Sequence, residues 1–126
     1  METQENNQQP SLYERLGGEQ RIRKILNEVL DRNLNNPLIG NHFRQIDMNR
    51  LKQLVFEFFS MGTGGPHTYT GRDMRSAHAH LGLSEKDFEL SNEDVIMAFK
   101  ENGVAQTEIN EVVGILNSLK GEVLAV

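Results

Sequence analysis

From Ser11 onward, apolar residues recur three and four positions apart, and no window alternates apolar and polar residues convincingly as a strand does. This spacing predicts helices that each bury one face. Clusters of glycine, asparagine and proline separate the periodic segments, at 17–18, 35–37, 62–66 and 102–103. The chain is therefore expected to form an all-α domain of about five or six helices with short connections.

Side chains that can cap helix N-termini precede most of these segments, and they are Ser11 with Glu14, Asp47, Ser84 with Asp87, and Thr107. The segment after Asp47 carries an apolar stripe on one side, while Phe56 and Phe59 lie off that stripe. This helix is therefore expected to be apolar on more than one side and to lie centrally.

Composition narrows the possible functions. The 126 residues include no cysteine, which excludes disulfides, thiolate metal sites and cysteine nucleophiles. The formal charge of −5 argues against nucleic acid or an anionic membrane as a partner. Residues 1–10 are expected to be a disordered tail and residues 11–126 the folded domain. With no secretory signal or membrane span recognised, we expect a cytoplasmic protein.

One histidine lies on an apolar helical face. Between Asp73 and Leu81, the spacing i, i+3, i+4, i+7 is occupied by Met74, Ala77, His78 and Leu81, while His80 points about 200° away from His78. A lone inward histidine is usually a core residue bonded to a carbonyl. However, the domain has more apolar surface than short helices readily hide from one another. Haem, a large planar apolar ligand with one axial histidine, would account for both features.

Five motifs together resemble the truncated haemoglobins, most closely group I. They are 11–18 (SLYERLGG), Phe43 before 46–48 (IDM), 64–66 (GGP) with 69–72 (YTGR), 74–78 (MRSAH), and 82–83 (GL) ahead of Phe88 and 103–104 (GV). The resemblance extends from Ser11 to about Val123. It implies a two-over-two helical sandwich around haem b (iron protoporphyrin IX). It also implies that His78 is the proximal ligand to iron and that Phe43 stacks on the porphyrin. Because His78 alone combines this motif position with a place on an apolar helical face, we expect it to be the sole protein ligand on the proximal side.

The expected haem-contacting set combines these two residues with the apolar stripes, and it consists of His78, Phe43, Leu30, Leu51, Leu54, Val55, Phe58, Met74, Leu81, Phe88 and Leu116. On the gas-binding side, the family often places a Tyr on the second helix and Gln, Lys or His on the third. Here those positions read Leu30, Leu51, Leu54 and Val55, so an apolar distal pocket is expected. Gln53 and Lys52 lie off the stripe, although a shift of one residue in helical phase would bring Gln53 inward.

The favoured function is a haem protein that reversibly binds oxygen or another diatomic gas at ferrous iron, for transport or storage. The alternatives are a nitric oxide dioxygenase or weak peroxidase, a gas or redox sensor acting through a protein partner, and a haem-free bundle. The expected ligands are oxygen, carbon monoxide and nitric oxide, and the protein is expected to be a monomer served by an unidentified reductase. No catalytic residue is assigned, and His42 and His67 are interpreted as solvated or capping residues of loops.

Overall fold

A computed structural model of the chain describes residues 10–124, apart from the side chain of His80. The tail predicted for residues 1–10 therefore lies, except for Pro10, outside the described residues. Within the described range the fold is helical and contains no strand. The α-helices are α1 (Leu12–Arg15), α2 (Gly18–Asn35), α3 (Met48–Gly62), α4 (Met74–His78), α5 (Glu85–Glu101), α6 (Gln106–Ser118) and α7 (Lys120–Val123), and two 3₁₀ turns span Gly40–Phe43 and Ala79–Leu81.

Three of the predicted caps form. Ser11 and Glu14 make a capping box at α1, and Ser84 and Asp87 make one at α5, in each case with both reciprocal bonds present. The Asp47 carboxylate accepts bonds from two backbone N–H groups in the first turn of α3. These three helices consequently begin where the sequence predicts.

The four long helices form two packed pairs, α2 with α3 and α5 with α6, and α2 also packs along α5. The core between them is apolar and its side chains come from α1, α2, α3, α5 and α6. Its fully buried members include Ile22, Ile25, Phe56, Phe99 and Val112. This arrangement is the expected two-over-two sandwich. None of the described helices is long and apolar enough to cross a membrane.

The segment around His78 differs from the prediction. The expected single helical run to Leu81 is a short α4 followed by a 3₁₀ turn, which ends at Gly82 in the left-handed region (φ 63°). The 3₁₀ turn has only three residues, which is too short for its tighter period to be distinguished from that of an α-helix in the sequence. The side chains of this face are half-buried, whereas a buried face was expected.

The start of the last helix was also predicted wrongly. Helix α6 begins at Gln106 after Ala105, which has no capping side chain, so Thr107 lies inside the helix and does not cap it. Val123, expected on the same stripe, belongs to the separate helix α7. A backbone-only N-terminus of this kind leaves no polar side chain in the sequence to mark it.

Candidate functional site

His78 is the last residue of α4, and its ring is held by the helix itself. The Nδ1 atom lies 2.8 Å from the carbonyl oxygen of Met74, one turn earlier. Because a carbonyl can only accept, Nδ1 carries the proton and donates it. In the neutral imidazole Nε2 then keeps its lone pair, and the hydrogen bond fixes the orientation of the ring. This tautomer leaves Nε2 as the nitrogen that can bind a metal.

Helix α4 is short, and a side-chain cap and a neighbouring helix hold it in place. At its N-terminus, Asp73 Oδ2 accepts a bond of 3.1 Å from the backbone N–H of Ser76. The bonds from Ser76 lower the pKa of the Asp73 carboxyl. The last described helix, α7, also packs against α4. His78 is thus presented by a capped and supported helix.

Seven of the predicted haem contacts are half-buried apolar side chains that do not pack against the main core, and they are Phe43, Leu51, Leu54, Phe58, Met74, Leu81 and Phe88. They come from α3, α4, α5 and both 3₁₀ turns. Leu30 is buried (6% exposed), while Val55 and Leu116 pack against the core.

These side chains therefore remain partly exposed and lie outside the main core. Partly exposed apolar side chains are what an apolar ligand site requires. A porphyrin is planar and apolar, brings its own nitrogen ligands, and needs one axial histidine. The half-buried side chains and the free Nε2 of His78 both fit haem.

The polar residues near the expected distal side point elsewhere. Arg23 Nη1 donates to Gln53 Oε1 at 3.0 Å, and Gln53 Nε2 donates to Glu57 Oε2 at 2.9 Å. Lys52 Nζ lies 3.1 Å from Asp31 Oδ1. Gln53 is therefore bonded to Arg23 of α2 and to Glu57 of its own helix.

Arg23 anchors this arrangement, and sequence reasoning did not single it out. Its guanidinium lies 3.9 Å above the ring of Phe56, and its Nε donates to Glu19 at 2.9 Å. Hydrogen bonds from the Gln53 amide and from Thr70 lower the pKa of the Glu57 carboxyl to about 2. Only the tertiary packing of α2 on α3 brings these residues together, so no local signal could have revealed Arg23.

Neither of the two loop histidines is freely solvated. His42 Nε2 lies 3.3 Å from Asp87 Oδ2. His67 shares a bond of 3.0 Å between its Nδ1 and Ser60 Oγ, and its Nε2 lies 3.4 Å from Glu19. Ser60 is fully buried, so this chain of contacts anchors a loop and offers no accessible nucleophile.

A two-over-two helical domain with one helix-held histidine beside an apolar site defines a shortened globin. The family model for bacterial-like globins matches residues 11–125, and the chain belongs to this family. It is similar to curated group 1 truncated haemoglobins. The protein from Mycolicibacterium paratuberculosis is 31% identical over 90% of this chain and 83% of its own length. That from Synechocystis sp. is 32% identical over 83% of this chain and 88% of its own length.

Solved structures agree with the sequence relatives. The Fe(III) form of the truncated haemoglobin from Tetrahymena pyriformis has a TM-score of 0.89 at 26% identity, covering 93% of this chain and all (100%) of that one. The 2/2 haemoglobin from Synechococcus sp., solved in the cyanomet state with covalently attached haem, has a TM-score of 0.86 at 31% identity, covering 91% and 98%. The protein is thus a group 1 type truncated haemoglobin, with haem as cofactor and diatomic gases as ligands.

Proposed function

We propose that this protein binds oxygen weakly and releases it quickly, with His78 as the only protein ligand to haem iron. The apolar distal side carries this proposal, because Leu30, Leu51 and Leu54 provide no hydrogen-bond donor. When bound, haem supplies the ferrous iron at which a diatomic gas binds reversibly. The protein's own contribution is to orient an axial imidazole through Met74 and to surround the opposite side with hydrocarbon.

The polarity of that side determines which gas is favoured. Oxygen becomes strongly polarised on binding and accepts hydrogen bonds, whereas carbon monoxide is polarised much less. A pocket without a donor forgoes about 1 to 3 kcal/mol of stabilisation of oxygen, or about tenfold to a hundredfold in affinity. Gln53 cannot supply this bond while its amide is held by Arg23 and Glu57. The ratio of carbon monoxide to oxygen affinity is therefore expected to be high.

Absorbance spectra and stopped-flow kinetics test the proposal. Spectra of the ferric, reduced and carbon monoxide-treated protein should establish haem and its coordination. Rapid displacement of oxygen by carbon monoxide should then give a fast oxygen dissociation rate. A slow rate that Gln53→Leu increases would refute the apolar distal side, because Gln53 would then be the donor.

The nitric oxide dioxygenase alternative has less support. That reaction benefits from a distal donor and from a renewable supply of electrons, and neither is found among the residues assigned to the site. A weak peroxidase and a sensor have no specific observation in their favour. Supplying the oxygenated protein with nitric oxide, oxygen and a reductant would distinguish the enzyme from the carrier, since a dioxygenase forms many nitrates per haem whereas a carrier forms one and stops in the ferric state.

The remaining parts of the proposal concern the protein's context. Residues 11–126 would form one globin domain, which the family match to residues 11–125 supports. A monomer is proposed, because among residues 10–124 the large exposed apolar side chains, Leu38, Met61 and Met97, lie on different parts of the chain. A cytoplasmic location stays a prediction. A separate reductase would restore ferrous iron. Size-exclusion chromatography with light scattering tests the monomer directly.

A further inference from the structure

A histidine–carboxylate pair joins the 3₁₀ turn Gly40–Phe43 to the start of α5. His42 Nε2 lies 3.3 Å from Asp87 Oδ2, and the two side chains are 27% and 21% exposed. Within residues 10–124, and leaving aside the side chain of His80, the hydrogen bonds of residues 40–46 are short-range backbone bonds, such as that from the Gly40 N–H to the Asn36 carbonyl. In this part of the chain, the pair is consequently the polar side-chain link between the turn and α5.

The two partners are the chain neighbours of two aromatic residues in the predicted haem site. His42 precedes Phe43, and Asp87 precedes Phe88. Asp87 is fixed on its own side, because its Oδ2 accepts a bond of 3.0 Å from the backbone N–H of Ser84. That bond and the nearby His42 lower the pKa of Asp87. An ionised and oriented carboxylate therefore faces the imidazole.

We propose that His42 and Asp87 form a clasp that holds the segments carrying Phe43 and Phe88 together and so slows the loss of haem. The inference rests on the proposed haem site, although neither partner is expected to touch haem. Both are positioning residues that act through the adjacent aromatics. A half-buried contact between an imidazole and a carboxylate is stronger than a fully exposed one, so its loss should accelerate haem release about threefold to tenfold.

The test measures transfer of haem from the intact holoprotein to excess apomyoglobin. His42→Ala removes one partner, and Asp87→Asn removes the charge while keeping an oxygen for the Ser84 N–H. His42→Arg keeps a hydrogen-bond donor at this position for the Asp87 carboxylate. Glu101→Gln is the matched control, because it breaks the Arg32–Glu101 ion pair between α2 and the far end of α5. Urea unfolding of the apo forms measures any general loss of stability.

We expect His42→Ala and Asp87→Asn to accelerate haem transfer, the double variant to be no faster than the faster single variant, and His42→Arg to restore the rate. Glu101→Gln should leave haem transfer unchanged. Additive effects of the two substitutions on the rate of haem transfer would overturn the clasp. Single-variant transfer rates within twofold of that of Glu101→Gln would overturn it too. So would a loss of apo-protein stability large enough to explain the faster transfer. A wild-type protein that takes up no haem would refute the proposed function itself, whereas unchanged rates with haem bound refute the clasp alone.

Discussion

Leu30→Tyr is the most informative perturbation, because it places a donor on a distal side that we expect to lack one. Leu30 is buried, with 6% of its surface exposed, yet it lies outside the cluster that forms the main core. A phenol introduced there adds volume at a position that we expect to share the distal side with the half-buried Leu51 and Leu54. Its hydroxyl can then donate to oxygen at the haem.

The size of the effect follows from one hydrogen bond to a polarised acceptor. That bond contributes about 1 to 3 kcal/mol, so oxygen should dissociate about tenfold to a hundredfold more slowly. Carbon monoxide dissociation should change far less. Overpacking can cost about 1 to 3 kcal/mol of folding stability, and this affects the melting temperature without mimicking selectivity between the two gases.

Stopped-flow displacement gives both dissociation rates, and Leu30→Phe is the matched control because it adds the ring without the hydroxyl. The oxygen effect should appear in Leu30→Tyr and be absent in Leu30→Phe. If both variants slow the two gases equally, a steric barrier is responsible. If Gln53→Leu alters oxygen release and Leu30→Tyr does not, the helical phase of α3 is wrong.

Three further predictions concern haem and stability. His78→Ala should lose haem or show an altered haem spectrum, because His78 Nε2 is the nitrogen expected to bind iron. His80→Ala should keep both haem and the wild-type spectrum. A normal spectrum of His78→Ala without added imidazole would contradict the assignment. The apo form should melt at a lower temperature than the holo form. A ligand at a thousandfold excess over its Kd stabilises the folded state by about 4 kcal/mol. Equal melting temperatures of the two forms in calorimetry would contradict a buried cofactor. Glu57 has a pKa lowered from 4.5 to about 2, so the stability it contributes is present above pH 4.5 and disappears as the pH falls to about 2. The free energy of unfolding of Glu57→Gln should therefore be lower than that of wild type at neutral pH, and the two values should converge near pH 2. Urea unfolding at a series of pH values measures both.

Helix positions could be predicted where a side chain marks them. Ser11, Asp47 and Ser84 each accept a backbone bond at the start of a helix, and that chemistry is legible locally. The start of α6 at Gln106 has no such side chain, because Ala105 precedes it. Likewise, the change from α4 to a 3₁₀ turn after His78 depends on how the chain packs, which periodicity does not report.

Contacts near the candidate site could be predicted from the sequence when they are local, but not when they join distant residues. The helical position of His78 follows from spacing, and its bond to Met74 is local. The contacts of Arg23 with Gln53 and of His42 with Asp87 join residues far apart in the chain. Which of many charged residues will meet across helices is set by interhelical geometry, so these pairs could be found only in the folded structure.

Helix α3 must satisfy two surfaces at once. Phe56 and Ser60 face the buried core, while Leu51, Leu54 and Phe58 remain half-buried on another side. Covering a large aliphatic side chain stabilises by about 1.5 to 3 kcal/mol, so apolar residues on that second side favour retention of haem. A donor at one of the same positions would favour oxygen by a similar amount. These positions cannot serve both purposes fully, and because this chain fills them with leucine and phenylalanine, we expect firm haem binding combined with rapid exchange of oxygen.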